Sequence, residues 1–555
     1  MSDGGARVDR TCDPVSAGVV STPLRERTVL SALRKSTERH PGKAALVDST
    51  SRYAYGELFD TARCVAGALR QLGVERQEAV LLMLDNHAEH VVTWVGLCFA
   101  LGVQVPVNTA YKGGIFAHIV ADSGARVIVI EDAYCERLGQ IADRVPRLQT
   151  VVVRGGAGDA LPRGRFDVVP FAMLLGSPPA EPRPAVPGDL VAYMYTSGTT
   201  GPSRGVLYPY GQAWSCGAPE FFGSAQAEDR ALVTLPLFHV AGQFAGVLNA
   251  FIAGATAVVR PAFHAATFLD EAREFGCTYA VLIGAMASFV YRQPPRETDS
   301  RNPLERILIF PLIPEVEEFQ SRFAVRALTS YGMTEVSSPL VAPVGRVRPR
   351  GCGWVRPDFE ARLVDEQDME VERGRVGELA LRPKNPWSVM LGYHGRADKT
   401  VEMWRNLWIH TGDLMRQDEE GQFFFVDRGK DAIRRRGENV SSFEIEAAIN
   451  GHPAVLESAA VGVASEGSED EVLAAIVVRP GETVAAEALI RYLVDTLPYF
   501  MVPRYLRFVD ALPKTPTQKV VKHELRAGGT EGAWDRVAAG LRVDRTGLHV
   551  ESPGH

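Results

Sequence analysis

Two spacings of apolar residues alternate along this chain. Between 28 and 130, stretches with an apolar residue every three or four positions take turns with short runs that are apolar at nearly every position. The first kind predicts helices over 28–39, 55–72, 88–101 and 114–122; in the second of these Leu58, Ala62, Val65 and Leu69 share one face. The other kind predicts strands over 79–84, 103–107 and 126–130, with the unbroken apolar character of strands covered on both faces. Two short strands, 44–47 and 52–55, precede them. The alternation returns from 231 to about 310, with strands at 231–235, 255–260 and 279–283 and helices at 241–253 and 265–275. Strands and helices in turn imply a largely parallel sheet with both faces covered, and two such runs imply two packed sheets.

Beyond 362 the pattern shortens to strands and turns, as at 377–382, which predicts a small β-rich unit. The chain becomes strongly charged at 427–431. From 442 a compact pattern begins: helix 443–450, strands 455–463 and 471–478, helix 486–496 and strand 505–509, a small α+β domain. The expected fold is therefore α/β, a large N-terminal domain of two packed α/β sheets plus a small β unit, followed by a small α+β C-terminal domain. A polar, Gly-rich flexible arm is expected over 1–24 and a polar flexible tail over 527–555, leaving domains at 25–429 and 430–526. The Gly-rich stretch 154–165 predicts a surface loop, and 178–187, rich in Pro and Ala, a connector.

Composition narrows the classes. Hydrophobic residues at 46% and charged residues at 23% are those of a globular protein with a large core. A net charge of −7 argues against wholesale binding to nucleic acid or an anionic membrane. The seven cysteines have no close pair, which fits neither a disulfide framework nor a zinc site and points to a reducing, cytoplasmic setting. Residues 1–14 carry no apolar core behind a basic tip, so no secretory signal is expected. The longest apolar stretch, 91–107, contains Thr93, Gln104 and Pro106 and is too short for a membrane span.

The chemistry begins at 195–206, YTSGTTGPSRGV, which follows an apolar, β-prone run. Thr196, Ser197, Thr199 and Thr200 offer hydroxyl donors, while Gly198 and Gly201 let the backbone turn its N–H groups toward an anion. That suits a nucleotide's phosphates. It is not a Walker loop, which would end in Gly-Lys-Ser/Thr on a helix; here the loop closes into another apolar segment. The stretch resembles the signature of the adenylate-forming enzymes, the acyl-CoA synthetases, adenylation domains and luciferases, with Arg204 where that family usually has lysine. Arginine keeps the charge but replaces a compact ammonium with a planar fork.

Further motifs follow in register. SYGMTE, 330–335, is similar to the family's second signature: the resemblance implies that Tyr331, with Gly332 and Met333, lies along adenine, that Thr334 contacts the α-phosphate and that Glu335 holds Mg2+. WIHTGDL, 408–414, places Asp413 for the ribose hydroxyls, and in 426–446 Arg428 matches the second ribose contact and Lys430 the hinge. Gly437, in the turn before a helix, matches the segment that meets CoA. LPKTPTQKVVKHELR, 512–526, is similar to the closing signature, whose lysine is Lys519; Gln518 stands where relatives usually have glycine. His239, Gly284, Ala285 and Met286 match the walls of the family's acid pocket, whereas 310–314 depart from the usual Gly-Gly-Ala-Pro turn.

The resemblance runs from about 28 to 526, and within the family the chain is most similar to crotonobetaine or carnitine CoA ligases and related acyl-CoA synthetases. It implies an enzyme that uses ATP and Mg2+ to convert a small-molecule acid into an acyl-adenylate and then transfers it to CoA, the small domain being mobile. Other acceptors share the nucleotide motifs: an amide-forming ligase, or an ATP-dependent diazotase that activates nitrite for an aromatic amine, is the alternative.

Overall fold

The computed structural model describes residues 22–196, 203–221, 223–428, 433–435, 438–440, 442–464, 470–497, 499, 501–514, 519–544 and 547–550. Among these residues, one sheet of seven strands holds Ala79–Met83 at its centre. Its neighbours Val103–Pro106, Val127–Glu131, Thr150–Arg154 and Asp167–Pro170 run parallel, and the antiparallel pair β1 (Leu190–Thr196) and β2 (Arg204–Pro209) closes one edge. Val80 and Leu82 enter one core while Leu81 and Met83 enter another, which is why this strand is apolar at every position. Helix α1 (Gly113–Ser123) covers the second face with Phe116, Ile119 and Val120.

The first face meets helices Tyr55–Gln71 and Ala88–Ala100, which lie in one core with residues of the second sheet such as Val233, Val259 and Val281. Every residue of Ala88–Ala100 except Glu89 is buried. The longest apolar stretch, 91–107, is thus most of a core helix followed by the strand Val103–Pro106, and among the described residues no helix is long and apolar enough to cross a membrane.

Among the described residues the second sheet has thirteen strands. Its central strands, among them Arg230–Val233, Tyr279–Ile283, Arg306–Phe310 and β3 (Arg326–Met333), pair in parallel. After β3 the pairing turns antiparallel through Ser337–Ala342 and Gly351–Val355 to β5 (Phe423–Arg428), β4 (Ile409–Gln417), Val376–Pro383 and Phe359–Val364. The β-rich unit expected beyond 362 is therefore hydrogen-bonded onto the larger sheet and begins earlier. The helix expected over 241–253 opens as a π-helical stretch, Ala241–Leu248, before the α-helical turn Asn249–Ala253. One extra residue per turn does not register in hydrophobic spacing, and such turns gather at functional sites.

The C-terminal unit packs helices α2 (Ser442–Asn450) and Ala486–Thr496 around the strands Val455–Ala464, Asp470–Val478, Tyr505–Phe508 and Trp534–Asp535. The last of these departs from the flexible tail expected after 526. Trp534 pairs with Leu506, Asp535 accepts an ion pair from Arg504 at 3.0 Å, and buried Arg536 donates to the carbonyls of Pro503 and Leu541 at 3.2 and 2.9 Å. Val543, in a hairpin of Leu541–Asp544 with Gly547–Val550, joins the small core. A polar segment with few apolar anchors gives little periodicity, yet those anchors cover an otherwise open sheet edge. Of the expected N-terminal arm, 1–21 lie outside the described residues, while Leu24–Glu26 form a 3-10 turn.

Candidate active site

The edge strands β1 and β2 pair with Thr196 opposite Arg204, so the loop between them starts and ends at one point of the sheet. The expected phosphate contacts Ser197, Gly198, Thr199, Thr200 and Gly201 lie outside the described residues. Arg204 begins β2, its guanidinium 5.7 Å from the ring centroid of Tyr393. Tyr393 belongs to a stretch laid along β2: Leu207 N donates to Gly392 O, and His394 N to Gly205 O. This tyrosine carries no motif in the sequence reading, yet its hydroxyl donates to Glu335 Oε1 at 2.8 Å and its neighbourhood ties Glu335 down again through Met390 N to Glu335 O.

Glu335 stands in the turn after β3. It is buried, and burial raises its carboxyl pKa against the opposing pull of the Tyr393 hydroxyl and the charges of Arg428 and Lys519. Thr334 is held at its carbonyl by Gln212 Nε2 at 2.8 Å. Gly332 lets β3 fold against its partner strand: a Cβ there would lie 1.8 Å from Ser337 O. Among the described residues no group of three or more His, Cys, Asp or Glu is placed to hold a metal. A single buried carboxylate is nevertheless a fitting protein ligand for Mg2+, which keeps most of its shell for phosphate oxygens and water.

Asp413 comes from β4 and Arg428 from β5, which are directly paired at these two residues. Asp413 Oδ1 lies 3.2 Å from Arg428 Nε, and its Oδ2 accepts from the Tyr331 hydroxyl at 2.6 Å. Gly412 makes the approach possible with φ +73°, a left-handed conformation that glycine adopts without strain, and its N–H donates to Glu378 Oε1 at 2.9 Å. Three motifs far apart in sequence thus meet through Tyr331, Asp413 and Arg428. Asp413 and Arg428 border a cavity of about 910 Å³ lined also by Arg204, Met333, Tyr393 and Thr411, with Asp470 contributed by the C-terminal unit; Tyr331 stands behind this wall, bonded to Asp413. A second hollow, about 890 Å³ and lined by residues such as Arg292, Glu317 and Arg322, contains none of the motif residues.

Lys519 is exposed, and its charge reaches both Glu335 and His239. The His239 pKa is pushed down to about 4, first by burial and then by Lys519, so its imidazole is neutral near pH 7. Gly284, Ala285 and Met286 start the helix Gly284–Tyr291; Gly284 is buried, Met286 half-buried and Ala285 exposed. Lys430 and Gly437 lie outside the described residues.

Residues 33–394 match the AMP-binding enzyme family, and residues 444–519 match the AMP-binding enzyme C-terminal domain. The chain belongs to the AMP-binding enzyme family. Among its relatives, the crotonobetaine/carnitine–CoA ligase of Salmonella arizonae is 29% identical over 492 residues, spanning 85% of this chain and 93% of that protein. The corresponding Escherichia coli K12 ligase is 29% identical over 506 residues, 87% of this chain and 96% of its own. ATP-bound MatB from Rhodopseudomonas palustris superposes with a TM-score of 0.80 at 26% identity, covering 91% of this chain and 99% of that one. The anthranilate CoA ligase AuaEII in complex with anthranoyl-AMP shares the fold, with a TM-score of 0.81 at 24% identity over 91% and 98% of the two chains. This AMP-binding enzyme is an adenylate-forming, AMP-forming ligase of the acyl-CoA synthetase type.

Proposed function

We propose that this ligase activates a carboxylic acid as its acyl-adenylate and transfers the acyl group to the thiol of CoA. The observation that carries the reading is the convergence of Arg204, Met333, Asp413 and Arg428 on one cavity, with Tyr331 bonded to Asp413 and with Glu335 and the charge of Lys519 beside it. In the first step an acid carboxylate oxygen attacks the α-phosphorus of ATP and pyrophosphate leaves. No side-chain nucleophile is required, so the residues work by placement and charge. Tyr331, with Gly332 and Met333, receives the adenine, and Asp413 and Arg428 the ribose. The Thr334 hydroxyl, Arg204 and the donors of 196–201 face the phosphates, and Lys519 sets positive charge where negative charge develops. Mg2+ held by Glu335 and the phosphates would supply further neutralisation.

His239, Gly284, Ala285 and Met286 bound the acid, and the neutral imidazole of His239 leaves the carboxylate free to act as nucleophile rather than pairing it. In the second step the C-terminal domain, 430–526, turns against the domain 25–429 at Lys430, withdrawing Lys519 and bringing Gly437 to the pantetheine arm. The thiolate attacks the acyl carbonyl and AMP leaves. One cavity serving two reactions gives a reason for a hinge.

The test is mass-resolved detection of AMP and products from ATP and Mg2+ over a panel of carboxylic acids, with and without CoA, and with nitrite plus an aromatic amine. AMP together with a CoA thioester supports the reading and names the acid class. AMP formed only with nitrite or another acceptor retains adenylation and overturns transfer to CoA.

A further inference from the structure

A loop rich in Gly, Ser and Thr has few side chains with which to hold its own shape, so the anchoring of its ends decides where its donors point. Residues on both sides of the segment 197–202 are tied to helix α1. Tyr195, one residue before the end of β1, donates its hydroxyl to Asp122 Oδ2 at 2.6 Å. Ser203, just ahead of β2, offers its carbonyl to His118 Nε2 at 2.9 Å. A carbonyl only accepts, so His118 presents Nε2 as the donor. His118 and Asp122 are four residues apart on one helix and therefore project from the same face.

A third tie stiffens the arrangement from behind. His394 Nε2 donates to the Asp122 carbonyl at 3.0 Å, and its ring stacks on Tyr193 with centroids 4.7 Å apart. Its backbone N–H donates to Gly205 O at 2.8 Å. Gly205 itself is closely packed, since a Cβ there would stand 3.2 Å from Tyr195 Cζ and 3.4 Å from His394 Cβ. The entry and exit of the loop, the helix and the 393–394 stretch thus form one hydrogen-bonded frame.

We propose that His118 is a positioning residue for the nucleotide-binding loop, fixing its exit through the Ser203 carbonyl while Asp122 fixes its entry through Tyr195. The inference rests on the reading of 197–202 as the loop that receives ATP phosphates. His118 acts through the backbone of Ser203 and needs no contact with nucleotide or acid.

The experiment measures ATP affinity by titration calorimetry, together with KM for ATP, KM for the acid and kcat, in the full-length enzyme and two variants. His118→Ala removes the donor; His118→Gln carries an amide N–H at similar reach. The expected result is a rise in KM and Kd for ATP on the order of tenfold in His118→Ala, as the loss of one hydrogen bond of ordinary strength gives. The KM for the acid and kcat stay within about twofold of the parent, since the group acts on the loop alone, and His118→Gln restores most of the ATP affinity. Should His118→Ala fail to fold, Tyr195→Phe cuts the other tie and is expected to show the same split. Parent-like ATP affinity in both His118→Ala and Tyr195→Phe overturns the inference and leaves the nucleotide reading standing. Equal losses in ATP and acid parameters without rescue by His118→Gln also overturn it, marking a role in overall folding. A parent enzyme that shows no ATP binding overturns it together with the reading on which it rests.

Discussion

Gly332 leaves no room for even a methyl group, because the Cβ of an alanine would overlap the Ser337 carbonyl at 1.8 Å. The backbone on which Tyr331, Thr334 and Glu335 depend would have to move. Overpacking of this kind costs about 1–3 kcal/mol, and here the displacement falls within the cavity wall. Gly332→Ala is therefore expected to weaken ATP binding by about five- to 150-fold on that scale; parent-like Kd for ATP in calorimetry would contradict the packing argument. Lys519 is exposed, and its charge reaches Glu335 from a distance. Lys519→Ala is expected to slow AMP formation from ATP and acid on the order of 100-fold or more, while thioester formation from supplied acyl-adenylate stays at the parent rate. Equal rates of AMP formation in parent and variant would remove Lys519 from the first step.

Among the elements, helix α2 shows how the two units of the chain are joined. Its first residue, Ser442, donates its backbone N–H to Asp427 Oδ2 at 2.6 Å, and Asp427 Oδ1 accepts from Arg428 N at 2.7 Å. Asp427 ends the β4–β5 hairpin side of the site, so this cap spans the Lys430 position and links β5 to the C-terminal domain. Burial raises the Asp427 carboxyl pKa, against the pull of the Lys522 ammonium, which itself pairs with Glu446 at 2.8 Å. Removing the cap acceptor in Asp427→Ala should destabilise the protein by about 1 kcal/mol, whereas Asp427→Asn keeps an acceptor and loses little of this. Urea unfolding measures both; equal stability of the two variants would show that the cap contributes nothing.

The elements themselves were legible where burial makes a period. The parallel strands show as continuous apolar runs because they are covered on both faces, and Tyr55–Gln71 and α1 show as helices because one face of each is apolar. The strand Trp534–Asp535 was not legible, since its place depends on a sheet edge that only the folded C-terminal unit supplies. At the site, Tyr331, Asp413 and Arg428 belong to recognisable motifs. Tyr393, His118 and His394 do not, because a lone aromatic or imidazole acquires its role from what the fold sets against it.

For the whole molecule, the two-sheet architecture buries groups that water would otherwise charge. His90 lies in the core helix Ala88–Ala100, its Nδ1 donating to the Asp85 carbonyl at 3.1 Å. Its pKa is pushed from 6.5 down to about 3, first by burial and then by the charge of His87, itself 2.7 Å from Glu131. The unfolded chain therefore binds more protons than the folded one between these values. The stability contributed by keeping His90 neutral is fully present above about pH 6.5 and is lost as pH falls toward 3, by up to roughly 1.4 kcal/mol per pH unit. His90→Asn, which keeps a donor for the Asp85 carbonyl but does not titrate, should flatten this slope in urea unfolding between pH 7 and 5. An unchanged slope would place the acid sensitivity elsewhere.

The amino-acid sequence by itself determined the alternation of strands and helices, the loop at 195–206 and the ordered motifs up to Lys519, because local backbone chemistry and one-sided burial leave a period or a composition in the chain. The tertiary structure alone decided that Asp413 and Arg428 meet at one cavity with Tyr331 bonded to Asp413, that Tyr393 holds Glu335, and that His118 and Asp122 hold Ser203 and Tyr195 on the two sides of the loop. These contacts join residues 15 to 85 positions apart. Distance along the chain carries no record of them; they exist because packed sheets fix the strand ends, and with them the side chains, in one place.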